Sequence, residues 1–334
     1  MVSDRKDINS ALHVFMEEWN NASDCVLVHT SGSTGKPKPM LVSKERMLAS
    51  ARMTCDFLGL KEGDTALLCM PLDYIAGKMV VVRSIFRNLK LVVVEPSGHP
   101  LKGLKEAPVF AAMVPMQVFN SLNVPQECRT LKQIKHLIIG GGAIDTDLQA
   151  ELRDFPNNVW STYGMTETLS HIALRRLNGD EASEWYTPFR GIEISTDDAG
   201  CLVIQAPNLC EGLVKTNDIV ELSPDRKRFK VIGRRDNVID SGGIKIHIED
   251  VEQQLRNHVA VPYLITKKPN RQFGEIVVML VQSEDISTIR QICESVLPKY
   301  WQPRLYIPVK AIPLTETGKP ARAEAERIAK ASDR

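Results

Sequence analysis

Between residues 25 and 160, short apolar runs alternate with stretches of helical periodicity, and that alternation restricts the chain to a layered α/β architecture. The runs at 66–70, 91–94, 111–114 and 136–139 lack the polar alternation of a half-exposed strand, so they read as strands buried on both faces. Helix-like stretches lie between them. In one, Leu148, Leu152 and Phe155 share a face, with Asp145 or Thr146 placed to cap its first turn. From 189 to 232 short strands are broken by Asp197-Asp198-Ala199-Gly200, Asn217-Asp218 and Ser223-Pro224-Asp225, which predicts a small β subdomain. After Gly233 the chain turns basic and glycine-rich, and Val251, Leu255 and Val259 predict a fresh amphipathic helix. The 334 residues exceed the usual size of one domain. The expected division is a large α/β domain with its β subdomain over 1–234, then a small mobile α+β domain over 235–334.

The net charge of +1, with Lys and Arg scattered among Asp and Glu, gives no electrostatic case for nucleic acid. No apolar run approaches the roughly 20 residues that span a bilayer, so no membrane insertion is expected. Residues 1–10 are polar and carry no signal-peptide core. The seven cysteines (Cys25, Cys55, Cys69, Cys128, Cys201, Cys210 and Cys293) are far apart and form no C-x-x-C pair, so structural zinc has no support. Reduced thiols in a cytoplasmic protein fit this usage.

The densest chemistry sits at Thr30-Ser31-Gly32-Ser33-Thr34-Gly35-Lys36-Pro37-Lys38, directly after the apolar run 26–28. Small residues let the backbone wrap an anion, its N–H groups and hydroxyls donate to phosphate oxygens, and Lys36 and Lys38 add charge. A Walker A loop has four residues between its glycines and a Ser or Thr after its lysine. Here two residues separate Gly32 from Gly35 and Pro37 follows Lys36, so this is a phosphate loop of another kind. A flexible Gly/Ser turn is the plainer alternative, yet a linker does not need this density of donors.

A second signal is Tyr163-Gly164-Met165-Thr166-Glu167-Thr168. Tyr163 offers a stacking face for a base and Thr166 can reach a phosphate. Glu167 is a hard oxygen ligand suited to Mg²⁺ on nucleotide phosphates. Taken alone, the segment also reads as an ordinary turn. Gly140-Gly141-Gly142-Ala143 closes the strand at 136–139, at the end where open α/β sheets bind ligands. Two later segments stand out: Gly233-Arg234-Arg235-Asp236-Asn237-Val238-Ile239, running on to Ser241-Gly242-Gly243-Ile244-Lys245, and Pro313-Leu314-Thr315-Glu316-Thr317-Gly318-Lys319.

Taken in this order, the four segments resemble the adenylate-forming superfamily of acyl-CoA synthetases, peptide-synthetase adenylation domains and luciferases, over nearly everything from Thr30 to Lys319. The resemblance implies ATP, Mg²⁺ and CoA as small-molecule partners. It implies that the loop 30–38 holds the β- and γ-phosphates and that Tyr163 stacks on adenine against Gly141, Gly142 and Ala143. Thr166 is then expected at the α-phosphate and Glu167 on the Mg²⁺. Asp218, assisted by Arg234, is expected to take the ribose hydroxyls. Asp236 corresponds to the hinge of the small domain, and Lys319 to the lysine that bridges substrate carboxylate and α-phosphate. After adenylation the small domain is expected to swing, withdraw Lys319 and present Gly242, Gly243 and Lys245 to the CoA thiol.

Pro71-Leu72-Asp73-Tyr74-Ile75-Ala76-Gly77-Lys78-Met79, continuing to Arg83, occupies the acyl-pocket segment of that superfamily. A Gly three residues after Tyr74 and an Arg nine after it resemble the branch that ligates o-succinylbenzoate to CoA in menaquinone biosynthesis. Such an acid has a second carboxylate, which a guanidinium suits best, so Arg83 is the first candidate and Lys78 the second. The same position also reads as a surface charge on an amphipathic helix.

There are departures from the superfamily pattern. The stretch before the phosphate loop is much shorter than usual, so the acyl pocket is expected to be open or completed by another subunit in a homo-oligomer. Asn217 precedes Asp218 where Gly is usual, which predicts a left-handed turn that Asn preserves. Tyr74 replaces a common His. His29 and His171, beside the motifs, read as packing. Alternative functions are a CoA ligase for another aryl or short-chain acid, an adenylation domain loading a carrier protein, and a non-catalytic nucleotide-binding module. Glu167, Asp218 and Lys319 together argue against the last.

Overall fold

The computed structural model describes residues 7–29, 39–142, 144–315 and 319–332, so the expected phosphate loop 30–38 and Ala143 lie outside the described residues. The chain opens with α1 (Ile8–Asn20), capped by the Asp7 carboxylate, which accepts from the backbone N–H groups of Asn9 and Ser10. An antiparallel pair follows, β1 (Cys25–His29) and β2 (Pro39–Ser43), with His29 opposite Pro39. Then come α2 (Lys44–Leu58), β3 (Thr65–Leu68), α3 (Ile75–Arg87), β4 (Lys90–Val93), β5 (Phe110–Met113), α4 (Pro115–Leu122) and α5 (Pro125–Gln133). The alternation continues through β6 (His136–Ile139), α6 (Thr146–Leu152), β7 (Asn158–Gly164), β8 (His171–Arg176) and β9 (Thr187–Pro188).

The last seven of these strands form one sheet in the order β4-β3-β5-β6-β7-β8-β9. From β4 to β7 the strands are parallel, and β8 and β9 join antiparallel. Parallel strands need crossovers that cover the sheet with helices, which is why β5 and β6 are buried along their whole length. The four apolar runs of the sequence are thus β3 to β6, though β4, at the sheet edge, is only half-buried rather than buried on both faces. Asp145 caps α6 by accepting from the Leu148 N–H at 2.8 Å. The C-terminal ends of the parallel strands share one edge, where an α/β sheet leaves backbone groups available to a ligand.

The next sheet is antiparallel and follows chain order: β10 (Glu193–Thr196), β11 (Cys201–Gln205), β12 (Leu213–Leu222) and β13 (Phe229–Arg234). Its turn at Asp197 forms as expected, the carboxylate accepting from the Ala199 and Cys201 N–H groups at 2.9 and 2.8 Å. Asn217-Asp218 is not a turn. Both residues lie inside β12, which pairs with strands on either side, and Asn217 is not among the left-handed residues. The pair sits at a bulge: β11 runs from Val203 opposite Lys215 to Cys201 opposite Ile219, Asp218 pairs with Arg234 on β13, and a further register shift falls between Ile219 and Val220, so the local turn preference is absorbed within the strand. Phe229 is fully buried in the same core as Phe110, Leu137 and Ile139, so this sheet packs on the first.

The remaining elements are β14 (Val238–Ser241), β15 (Ile244–His247), α7 (Ile248–Leu255), β16 (Tyr263–Asn270), β17 (Gly274–Val281), α8 (Ile286–Val296), β18 (Leu305–Pro308) and α9 (Arg322–Ala331). They form a five-stranded sheet, β15-β14-β17-β16 with β18 alongside β17. One cluster joins Val251, Leu255 and Val259 to Met279, and a separate one joins Leu264, Leu280 and Ala325. These clusters share no residue with the first core, and the break falls between Phe229 and Ile239. Among the described residues no helix is long and apolar enough to cross a membrane, and all seven cysteines are free.

Candidate active site

The parallel sheet and the antiparallel sheet meet at Tyr163, the penultimate residue of β7. Its ring lies edge-on to Phe229, 4.9 Å between centroids, and 5.8 Å from Tyr186. Its hydroxyl donates to Asp218 Oδ2 at 2.5 Å. Burial, with the Asp218 charge second, pushes the phenol pKa up, so Tyr163 stays a donor. Asp218 on β12 is directly opposite Arg234 on β13, and Arg234 Nη1 stands 3.6 Å from Asp218 Oδ1. Gly141 and Gly142 follow the end of β6, two strand ends that lie side by side with β7. An aromatic face, a run of small residues and an ion-paired carboxylate are thereby assembled from three elements far apart in sequence.

After β7 the chain makes a 3-10 turn, Thr166–Thr168. Thr166 is buried and Glu167 is exposed, with no ion pair or hydrogen bond to it among the described residues. Glycine is required at Gly164, because a Cβ there would lie 2.2 Å from the backbone oxygen of Ser170. No group of three or more His, Cys, Asp or Glu among the described residues forms a metal cage. A lone outward carboxylate suits a Mg²⁺ that takes most of its ligands from nucleotide phosphates and water.

The acyl segment begins at Tyr74, which precedes α3 and forms a parallel β-bridge with His29, the residue before the loop 30–38. α3 is not amphipathic where it carries the cations: every residue from 77 to 84 is buried. Arg83 is 2% exposed, so it is not a surface charge. Its Nη2 donates to Ser170 Oγ at 2.8 Å, its Nε has no partner, and no carboxylate pairs with it among the described residues. Burial lowers its pKa to about 10, which still leaves it charged at neutral pH. Lys78 is engaged elsewhere. Its ammonium donates to Leu27 O at 2.6 Å and Glu18 Oε2 at 3.2 Å, tying α3 to α1 and β1, so it does not stand beside Arg83 as a second free cation.

Asp236 sits in the 3-10 turn Arg235–Asn237, between the two sets of cores. Its Oδ2 accepts from Arg234 Nη2 at 3.0 Å and from Asn217 Nδ2 at 3.1 Å, while Asn217 Oδ1 accepts from Arg235 Nη2 at 3.1 Å. Gly242 and Gly243 form the two-residue turn between β14 and β15. Their φ values of 62° and 83° are the left-handed pair that a tight hairpin demands. Lys245 follows on β15, exposed. Lys319 is half-buried beside Pro320, which bridges to Leu314, and its backbone N–H donates to Thr315 Oγ1 at 3.1 Å. Burial lowers the pKa of its ammonium.

A family model described as AMP-binding enzyme matches residues 3–206. The chain belongs to the AMP-binding enzyme family. The 2-succinylbenzoate–CoA ligase of Escherichia coli (strain K12) is 25% identical over 316 residues, 88% of this chain and 68% of the relative. A solved acyl-CoA synthetase (AMP-forming)/AMP-acid ligase II-like protein from Dyadobacter fermentans DSM 18053 is 34% identical, with a TM-score of 0.66 over 95% of this chain and 93% of that one. The o-succinylbenzoate–coenzyme A synthetase of Bacillus subtilis, solved with ATP and magnesium ion, shares the fold at a TM-score of 0.73 and 23% identity, over 89% of this chain and 68% of that one.

In this AMP-binding enzyme, Tyr163, Asp218 and Arg234 come together, and Asp236 joins them through Arg234. Arg83 comes together instead with Ser170, which the sequence did not single out, and through it with His171 and Thr54. The signal for Ser170 was its place two residues after the Tyr163–Thr168 motif. Thr54, on α2, gave no sequence signal at all.

Proposed function

We propose that this chain activates a carboxylic acid with ATP to an acyl-adenylate and then transfers the acyl group to coenzyme A. In the first step a carboxylate oxygen attacks the α-phosphorus and pyrophosphate leaves; in the second a thiol attacks the acyl carbon and AMP leaves. The first step brings two anions together, so preorganised positive charge lowers its barrier. Tyr163 and Asp218 orient the nucleoside, Thr166 steadies the α-phosphate, and the Lys319 ammonium bridges the two reacting groups. Mg²⁺ at Glu167, when bound, neutralises charge on the phosphates. The loop 30–38 is read as the cradle for the β- and γ-phosphates. Residues 1–234 are read as the AMP-binding domain and 235–334 as a lid turning about Asp236, which brings Gly242, Gly243 and Lys245 to the CoA thiol. Seven unpaired cysteines suit a cytoplasmic enzyme.

The choice of acid is carried by Arg83. A charge this deeply buried without a counterion is costly, and an anionic group of the substrate relieves that cost on binding. A dicarboxylic acid has a second carboxylate to offer after the first is activated. The curated relatives named 2-succinylbenzoate–CoA ligase support o-succinylbenzoate as that acid. The test is acid-dependent ATP–pyrophosphate exchange over a panel of aryl and short-chain acids that includes o-succinylbenzoate, followed by addition of CoA or a carrier protein. Exchange greatest with o-succinylbenzoate and a CoA thioester as product are expected. No exchange with any acid would overturn the assignment as an enzyme, and exchange indifferent to the second carboxylate would overturn the choice of acid.

A further inference from the structure

Arg83, Ser170, His171 and Thr54 form one hydrogen-bonded file running from α3 through the start of β8 to α2. Arg83 Nη2 donates to Ser170 Oγ at 2.8 Å, and Ser170 Oγ is 3.3 Å from His171 Nδ1. His171 Nε2 is 2.9 Å from Thr54 Oγ1, which donates to Ser50 O at 3.3 Å. One arrangement of protons satisfies every contact in the file. A guanidinium can only donate and a carbonyl can only accept. With the one proton of Thr54 on Ser50 O, the proton between Thr54 and the ring belongs to His171 Nε2. A neutral imidazole then has a bare Nδ1, which takes the Ser170 proton and leaves the Ser170 oxygen to accept from Arg83.

The surroundings enforce this arrangement. His171 and Thr54 are buried, 6% and 0% exposed, and the imidazole lies against the Phe189 ring, 5.5 Å between centroids. Burial first, and the nearby Arg83 charge second, hold the His171 pKa well below its ordinary range. The backbone at Ser170 is pinned as well. Leu169 has φ 66°, a strained value for a side chain of its size, Gly164 packs against the Ser170 carbonyl, and Thr168 Oγ1 donates to that carbonyl at 2.9 Å.

We infer that His171 is a positioning residue. As the neutral Nε2–H tautomer it fixes Ser170, and through Ser170 it aims the Arg83 guanidinium at the remote carboxylate of a dicarboxylic substrate. The inference rests on the role of Arg83 given above. The file is assigned to specificity for the second carboxylate, since none of its members is among the residues assigned to the phosphates.

The test compares KM for o-succinylbenzoate with KM for a monocarboxylic analogue lacking the second carboxylate. His171→Phe keeps an aromatic ring but breaks the file, and is expected to raise KM for the diacid roughly tenfold, the cost of one mis-set hydrogen bond to a charge, while KM for the analogue stays near wild type. His171→Gln restores the diacid KM, because its amide keeps an acceptor for Ser170 and a donor for Thr54. Thr54→Val, which changes no ring, moves the diacid KM in the same direction as His171→Phe and serves if that variant does not fold. Imidazole ¹⁵N shifts of the wild type are expected to show a bare Nδ1 and a protonated Nε2. The opposite tautomer, or equal KM changes for the two acids, overturns the inference about His171 alone. A wild type that binds both acids equally overturns the role of Arg83 and this inference with it.

Discussion

The Tyr163 hydroxyl donates to Asp218 at 2.5 Å, joining the end of a parallel strand to the middle of an antiparallel one. The bond links the face expected to stack on a base to the carboxylate expected to read a ribose. Asp218 is 15% exposed at its side chain, so each donor it has carries weight. Tyr163→Phe keeps the ring and its packing on Phe229 but removes the donor. A hydrogen bond to a charged group is worth about 1.5–3 kcal/mol. KM for ATP is therefore expected to rise roughly tenfold or more, with KM for the acid little changed. Pyrophosphate exchange at varied ATP measures this, and an unchanged ATP dependence would remove the link.

The buried guanidinium of Arg83 sets stability against function. Replacing a buried charge that lacks a counterion with an apolar side chain of similar length removes its desolvation cost. Arg83→Met is expected to raise the urea midpoint of the ligand-free enzyme and to abolish its preference for a dicarboxylic acid. A destabilised Arg83→Met would mean that the charge is already compensated without substrate, and the acid assignment would lose its physical basis.

Asp236 sits in a 3-10 turn, a conformation whose φ lies near the value that proline imposes. Asp236→Pro is therefore expected to lock φ at this residue and prevent the large torsion change of a swinging lid. Adenylation should continue at a largely normal rate and thioester formation should be lost. Single-turnover measurements of acyl-adenylate and acyl-CoA separate the two steps. Equal loss of both would show that Asp236 is not a hinge.

Much of the architecture was legible because burial leaves a local imprint. The run 137–139 is apolar throughout and lies in a central parallel strand, and Asp145 stands at a cap for the reason its side chain suggests. The misreading at Asn217-Asp218 has the opposite cause. A turn-forming pair is absorbed as a bulge in β12, between stretches that the neighbouring strands β11 and β13 hold in register, and no local window contains those strands. The site divides the same way. Tyr163, Asp218 and Arg234 were found by motif order. Lys78 and Arg83, five residues apart on one helix, looked alike in sequence. Glu18 and the Leu27 carbonyl take up one of them, and the other is left without an acid partner among the described residues. Thr54 and Ser170 acquire meaning only once α2 and β8 are packed against α3.

Lys319 offers a test in which activity and stability respond to pH in opposite senses. Burial lowers its pKa from the ordinary 10.5, so the folded protein releases this proton at a lower pH than the unfolded chain. Between the two values the unfolded state binds more protons, and the contribution of Lys319 to stability improves as pH rises. Bridging a carboxylate and a phosphate needs the charged form, so adenylation falls as pH rises through the same lowered pKa. The pH profile of kcat/KM for the acid, which reports the free enzyme, is expected to show an alkaline limb below the ordinary lysine value. Lys319→Arg, charged throughout, removes that limb, whereas Lys319→Ala lowers adenylation by about 10²–10³ at every pH while ATP still binds. An alkaline limb that persists unchanged in Lys319→Arg would assign it to another group and take the catalytic charge away from Lys319.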